Sequence, residues 1–97
     1  MLKIYPAIYK QEGDKITCRF PDLPEIETFS GTDKEELAER AKEVLGRYYV
    51  KKSQIKETIP DPSNARLMKA GENETIEYVY TDIDKYWTGV KAKDTWI

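Results

Sequence analysis

The residues best suited by type to do chemistry are four aspartates, Asp22, Asp61, Asp82 and Asp84, whose carboxylates are the hard oxygen ligands a divalent cation takes. Asp82 and Asp84 stand two apart at the end of an alternating stretch, where acidic residues commonly open a turn. No glycine-centred calcium loop surrounds them, so a solvated turn is the preferred reading and no metal site is expected. The chain has no histidine, which removes Ser-His and Cys-His nucleophilic pairs, the usual neutral-pH proton shuttle and every His-ligated metal. Cys18 is the single cysteine and can form neither an internal disulfide nor a thiolate cage. Its place in an apolar alternation reads as a small buried hydrophobe, and a lone thiol suits a reducing compartment. The five glycines are scattered singly, so no loop is built to cradle phosphate. Tyr48 and Tyr49, at helical spacing, read as core and rim and not as a base-stacking platform. No catalytic residue and no cofactor is expected.

The charge balance narrows the partners. Lys and Arg total 16 against 18 Asp and Glu, giving net charge -2 and pI near 5.2, which lacks the basic footprint of a nucleic-acid binder. The one basic cluster, Arg47, Lys51, Lys52 and Lys56, gathers where a helix ends, and cations favour that position whether or not a ligand is present. At 97 residues there is room for one domain, residues 1–97. No run approaches the roughly 18 apolar residues of a membrane span. Leu2 to Pro6 lacks the continuous apolar core of an export signal, so the chain is expected in the cytoplasm.

These residues sit on a readable series of elements. Leu2, Ile4 and Ile8 alternate with Lys3, Tyr5 and Tyr9, the period of a strand with one face inward, and Pro6 within it implies a free backbone edge or a bulge. A turn at Gln11–Asp14 leads to Ile16, Cys18 and Phe20 at period two, completing a hairpin. Pro21 and Pro24 halt ladder pairing before a short extended run through Ile26–Phe29. Thr32 followed by Glu35 spells a capping box that starts a helix. Leu37, Ala38, Ala41, Val44, Leu45, Tyr48 and Tyr49 then form its apolar stripe. Residues 51–74 are polar, hold Pro60, Pro62 and Gly71, and read as a long connection. Ile76, Tyr78 and Tyr80 alternate with Glu77, Val79 and Thr81 in a fourth strand, and past Trp87 the pattern fades.

The order β-β-β-α-β predicts an α+β domain, a small mixed sheet with one helix packed on one face. A right-handed crossover would lay the fourth strand parallel beside the first. The opposite face would stay uncovered, with Tyr5, Tyr9, Tyr78 or Tyr80, Val79 and two tryptophans offering more apolar surface than one helix hides. A homo-oligomer is therefore expected.

Several ordered motifs together resemble the HicB antitoxin family. They are Ile4-Tyr5-Pro6-Ala7-Ile8-Tyr9, Phe20-Pro21-Asp22-Leu23-Pro24, Gly31-Thr32 with Glu35-Glu36-Leu37, and Ile59-Pro60-Asp61-Pro62-Ser63, spread over roughly residues 3 to 84. The resemblance implies a partial ribonuclease H-like fold used as a binding module, masking a HicA-like basic toxin that cleaves mRNA. An active ribonuclease H-type site needs carboxylates beginning on the first strand, and Leu2 to Tyr9 carry none, so no nuclease activity is expected. An acidic domain suits a basic, RNA-seeking partner, because opposite potentials speed encounter. The expected toxin-binding residues are Asp22, Leu23, Pro24, Glu25 and Glu27, on a proline-stiffened loop that loses little entropy on binding. Family members commonly carry glycine after the second proline of that loop, where this chain has Glu25. Many relatives continue into a DNA-binding segment; residues 88–97 are expected to be a tail without one, so no direct nucleic-acid contact is expected. The alternative is a stand-alone HicB-like structural or adaptor domain with no toxin partner.

Overall fold

The computed structural model describes residues 1–86. Four strands and one long helix follow in the order β1 (Leu2–Glu12), β2 (Lys15–Arg19), β3 (Phe29–Gly31), α1 (Lys34–Gln54) and β4 (Glu74–Asp82), with a one-turn 3-10 helix at Ala65–Leu67. The strand order across the sheet is β3-β2-β1-β4. The expected β-β-β-α-β order is observed, with β4 beside β1. The sheet, however, is antiparallel throughout and not mixed, because β4 runs against β1 from Leu2↔Asp82 to Lys10↔Glu74. The reversal arises in the connection after α1, which carries the chain back past the sheet before β4 begins. Gly13 closes the β1-β2 hairpin at φ 62°, a conformation that glycine adopts without strain. The β2 ladder starts only at Ile8, so Pro6 lies where β1 has a strand neighbour on the β4 side alone, as proline tolerates.

The inward face of β1 is the reverse of the one its aliphatic alternation suggested. Tyr5, Ala7 and Tyr9 point to the helix and are buried, joined by Cys18, Phe20, Val79 and the α1 residues Leu37, Ala41 and Leu45. Leu2 is exposed. Pro6 and Ile8 face away from α1, yet they too are buried. The second face is thus not bare. The connection folds across it, with the Ala65 amide donating to the Tyr78 hydroxyl at 2.9 Å and Pro62 and Asn64 lying near Ile4. Tyr78 and Tyr80 remain exposed there, as expected; Tyr5, Tyr9 and Val79 do not. Both tryptophans, Trp87 and Trp96, lie outside the described residues, as does the expected tail at 88–97.

Helix α1 begins one residue later than the capping box implied, since Asp33 is the cap and its carboxylate accepts from the Glu35 amide at 2.9 Å. Glu35 and Glu36 in the first turn and Lys51 and Lys52 in the last complement the helix dipole. The helix also runs on through Gln54, into the stretch read as a connection, because Val50 is still buried and no proline or glycine stops it. Gly46 allows the Tyr86 ring to lie against the helix backbone; a Cβ there would overlap that ring.

Candidate partner-binding surface

The loop between β2 and β3 is built from two consecutive turns that share Leu23. The Leu23 amide donates to the Phe20 carbonyl and the Ile26 amide to the Leu23 carbonyl, each at 3.0 Å. Pro21 and Pro24 each occupy the second position of a turn, where the fixed φ of proline is already correct. Glu25 occupies the third position of the second turn. Among the described residues only Lys56 and Asn73 take a positive φ without being glycine, so the turn accepts a side chain here and does not need glycine.

The five residues expected to bind a partner have unlike surroundings. Leu23 is fully buried in the core, so it anchors the loop and presents no side chain. Asp22 is half-buried, and its carboxylate accepts from the Ser63 amide at 2.8 Å and from the Ser63 hydroxyl at 2.6 Å. It therefore ties the loop to the connection. Pro24, Glu25 and Glu27 are exposed. Glu25 accepts from the Tyr48 hydroxyl at 3.0 Å and pairs with the Lys52 ammonium at 2.8 Å. These two bonds, the lysine first, hold its carboxyl below the usual carboxylate range. Lys52 also pairs with Glu57, and both carboxylates hold its ammonium above the ordinary lysine value. Glu27 makes no hydrogen bond or ion pair among the described residues.

The second proline-rich segment comes up beside this loop. The Tyr5 hydroxyl donates to the Pro60 carbonyl at 2.5 Å, and burial first, then nearby Tyr49 and Asp61, push the Tyr5 phenol up to about 12. Asp61 is exposed and makes no hydrogen bond or ion pair among the described residues. The surface is therefore a stiff ridge in which Asp22 and Leu23 work inwardly, Lys52 restrains Glu25, and Glu27 and Asp61 are free to meet a cation. The loop's supports, Ser63, Tyr48 and Lys52, were not among the expected residues. Both proline-bearing segments were visible in the sequence, but nothing in their spacing said that they touch.

The chemistry available is recognition. Among the described residues no three His, Cys, Asp or Glu side chains converge as a metal-binding group. Asp22 faces Ser63, and Asp82 lies by the amino terminus of Met1 at 3.0 Å. Cys18 is buried within the sheet, and burial pushes its thiol up to about 11. No described helix is long and apolar enough to cross a membrane.

No protein-family model matches the sequence, and no curated protein matches it. Solved structures do. A chain of a toxin-antitoxin complex from Streptococcus pneumoniae is similar with a TM-score of 0.78 and 20% identity, over 89% of this chain and 73% of that one. A chain of the HicA3 and HicB3 toxin-antitoxin complex is similar with a TM-score of 0.64 and 19% identity, over 82% of this chain and 99% of that one. At such identity the likeness is one of fold. The chain has a small α+β fold found in toxin-antitoxin complexes, and a HicA-HicB complex among them agrees with the HicB-like resemblance of its motifs.

Proposed function

We propose that this protein is the antitoxin of a type II toxin-antitoxin pair, a non-enzymatic, partial ribonuclease H-like binding module. It neutralises a HicA-like, mRNA-cleaving toxin in the cytoplasm by protein-protein binding. The observation that carries the reading is the fold shared with chains from two toxin-antitoxin complexes. The ridge supports it, because two turns stiffened by Pro21 and Pro24 expose Glu25, exposed Glu27 follows them, and Asp22 ties the loop through Ser63 to the segment that carries exposed Asp61. Carboxylates held on a rigid backbone lose little freedom on binding and can occupy the cationic groups with which a ribonuclease holds phosphate. Asp22 and Leu23 contribute by fixing the ridge, and Pro24, Glu25 and Glu27 by contact. The reading includes assembly of copies of the chain through exposed strand and aromatic surface.

The test is whether a HicA-like protein encoded beside this chain's gene binds it, followed by size-exclusion chromatography and an RNA-cleavage assay. A stable complex in which cleavage stops is the expected result. Failure of the two purified proteins to associate rejects the reading.

A further inference from the structure

We propose that the free edge of β4 pairs with the same edge of a second copy, antiparallel about a two-fold axis at Val79, so that two sheets become one of eight strands. This deepens the assembly part of the proposed function and does not depend on toxin binding. Among the described residues β4 ends the order β3-β2-β1-β4 and is an edge strand of nine residues. Its register with β1 is unbroken from Glu74 to Asp82, so no bulge twists the edge away. It contains no lysine or proline, two of the residues that commonly protect an edge from pairing, and its charges are confined to Glu74, Glu77 and Asp82. Long and regular, rich in Ile, Val, Thr and Tyr, it is a ready template for another strand.

The sequence of the strand selects a copy of itself as the occupant. Tyr78-Val79-Tyr80 is symmetric about Val79, with polar Glu77 and Thr81 on its two sides. Residues directly opposite in an antiparallel pair share a face, so self-pairing keeps both helices on one side of the joined sheet. Centred on Val79, Tyr78 lies opposite the partner copy's Tyr80 and Tyr80 opposite its Tyr78, giving two aromatic pairs on the face away from α1. Tyr78 and Tyr80, 39% and 50% exposed, are the tyrosines of the strand that need cover. In the same register Glu77 lies opposite Thr81 and Asp82 opposite Ile76, so within the paired residues 76–82 no carboxylate meets another. Centring on Tyr78 would place Glu74 against Asp82 twice, and centring on Glu77 would oppose two glutamates, both unfavourable. Val79 and Thr81 are already buried beneath α1, so the new contact falls on the backbone edge and the tyrosine face.

Sedimentation of the full chain should give a mass twice 11.3 kDa that dissociates on dilution. Tyr80→Lys should weaken the dimer by at least about tenfold with unchanged far-ultraviolet circular dichroism, since two cations would then border the two-fold axis. The register is read by cross-linking. An equal mixture of Tyr78→Cys and Tyr80→Cys chains should form a mixed disulfide faster than either chain alone, while buried Cys18 stays unreactive. A monomer at every soluble concentration overturns the inference. So does a dimer indifferent to Tyr80→Lys, or equally fast self-cross-linking of Tyr80→Cys. A chain that stays monomeric yet blocks the toxin overturns the pairing alone, and a β4-paired dimer that ignores the toxin overturns the antitoxin reading alone.

Discussion

Leu23→Ala separates what the double-turn loop does for the fold from what it does for a partner. Leu23 is 0% exposed and lies in the main core, although its neighbours Pro24 and Glu25 are at the surface. Burying a leucine contributes roughly 1.5–3 kcal/mol of transfer free energy, and the cavity left by truncation raises the usual loss to about 2–5 kcal/mol. A loss of about 3 kcal/mol, within that range, is expected. Against a total of roughly 5–15 kcal/mol for a domain of this size, that is a large share. With a urea slope of about 1.5 kcal/mol per molar, the midpoint should fall by about 2 M. Equilibrium unfolding in urea followed by circular dichroism reads it directly. A loss under about 1 kcal/mol with an unchanged slope would refute the assignment of Leu23 as a core anchor.

Glu27→Lys and Asp61→Lys should leave stability within about 0.5 kcal/mol, as exposed positions do, and slow toxin association by roughly tenfold at low salt, measured by stopped-flow mixing. Alkali should destabilise the fold, because burial raises the Cys18 thiol from 9.0 to about 11. A raised acid group stabilises fully below its unfolded value, so stability falls as pH rises from about 9 to 11, by roughly 2–3 kcal/mol in urea titrations at each pH. Cys18→Ala should flatten the profile between about 9 and 10 and lessen its slope above that, where Tyr5, raised by burial from 10.0 to about 12, and Tyr9, also raised by burial, add to the fall. Gly46→Ala should destabilise although alanine favours a helix by about 1 kcal/mol, since the new methyl group displaces the Tyr86 ring. Thermal unfolding and the Tyr86 ring proton shifts would both register it.

What could be read without coordinates follows from short-range physics. The β1-β2 hairpin, the helix near Thr32 and the strand around Tyr78 each announce themselves by period and by turn or cap chemistry. The inward face of β1 did not, because both of its alternating sets are apolar enough to be buried: Tyr5, Ala7 and Tyr9 lie under the helix, while Pro6 and Ile8 lie on the opposite face. Strand direction was also hidden. A parallel crossover assumes that the chain returns to the end of the sheet where it started, and no local signal in residues 55–73 reports the path they take. The last turn of α1 was missed because Lys51, Lys52 and Gln54 are polar, and polar residues carry no periodic signal at a helix end. The candidate ridge was half legible. Prolines at 21 and 24 marked the stiff loop, whereas the inward roles of Asp22 and Leu23 depend on Ser63 and on core residues distant in sequence. The closeness of Gly46 to the Tyr86 ring had no local signal either, because the two are distant in sequence.

The most direct measurement titrates the purified chain into an RNA-cleavage reaction run by a HicA-like protein, the partner the proposed function requires. If the protein acts by covering that enzyme, cleavage falls linearly to zero at a fixed molar ratio, and Glu27→Lys shifts the curve to higher concentration. Undiminished cleavage in the presence of excess chain, or degradation of RNA by this chain alone, would contradict the account.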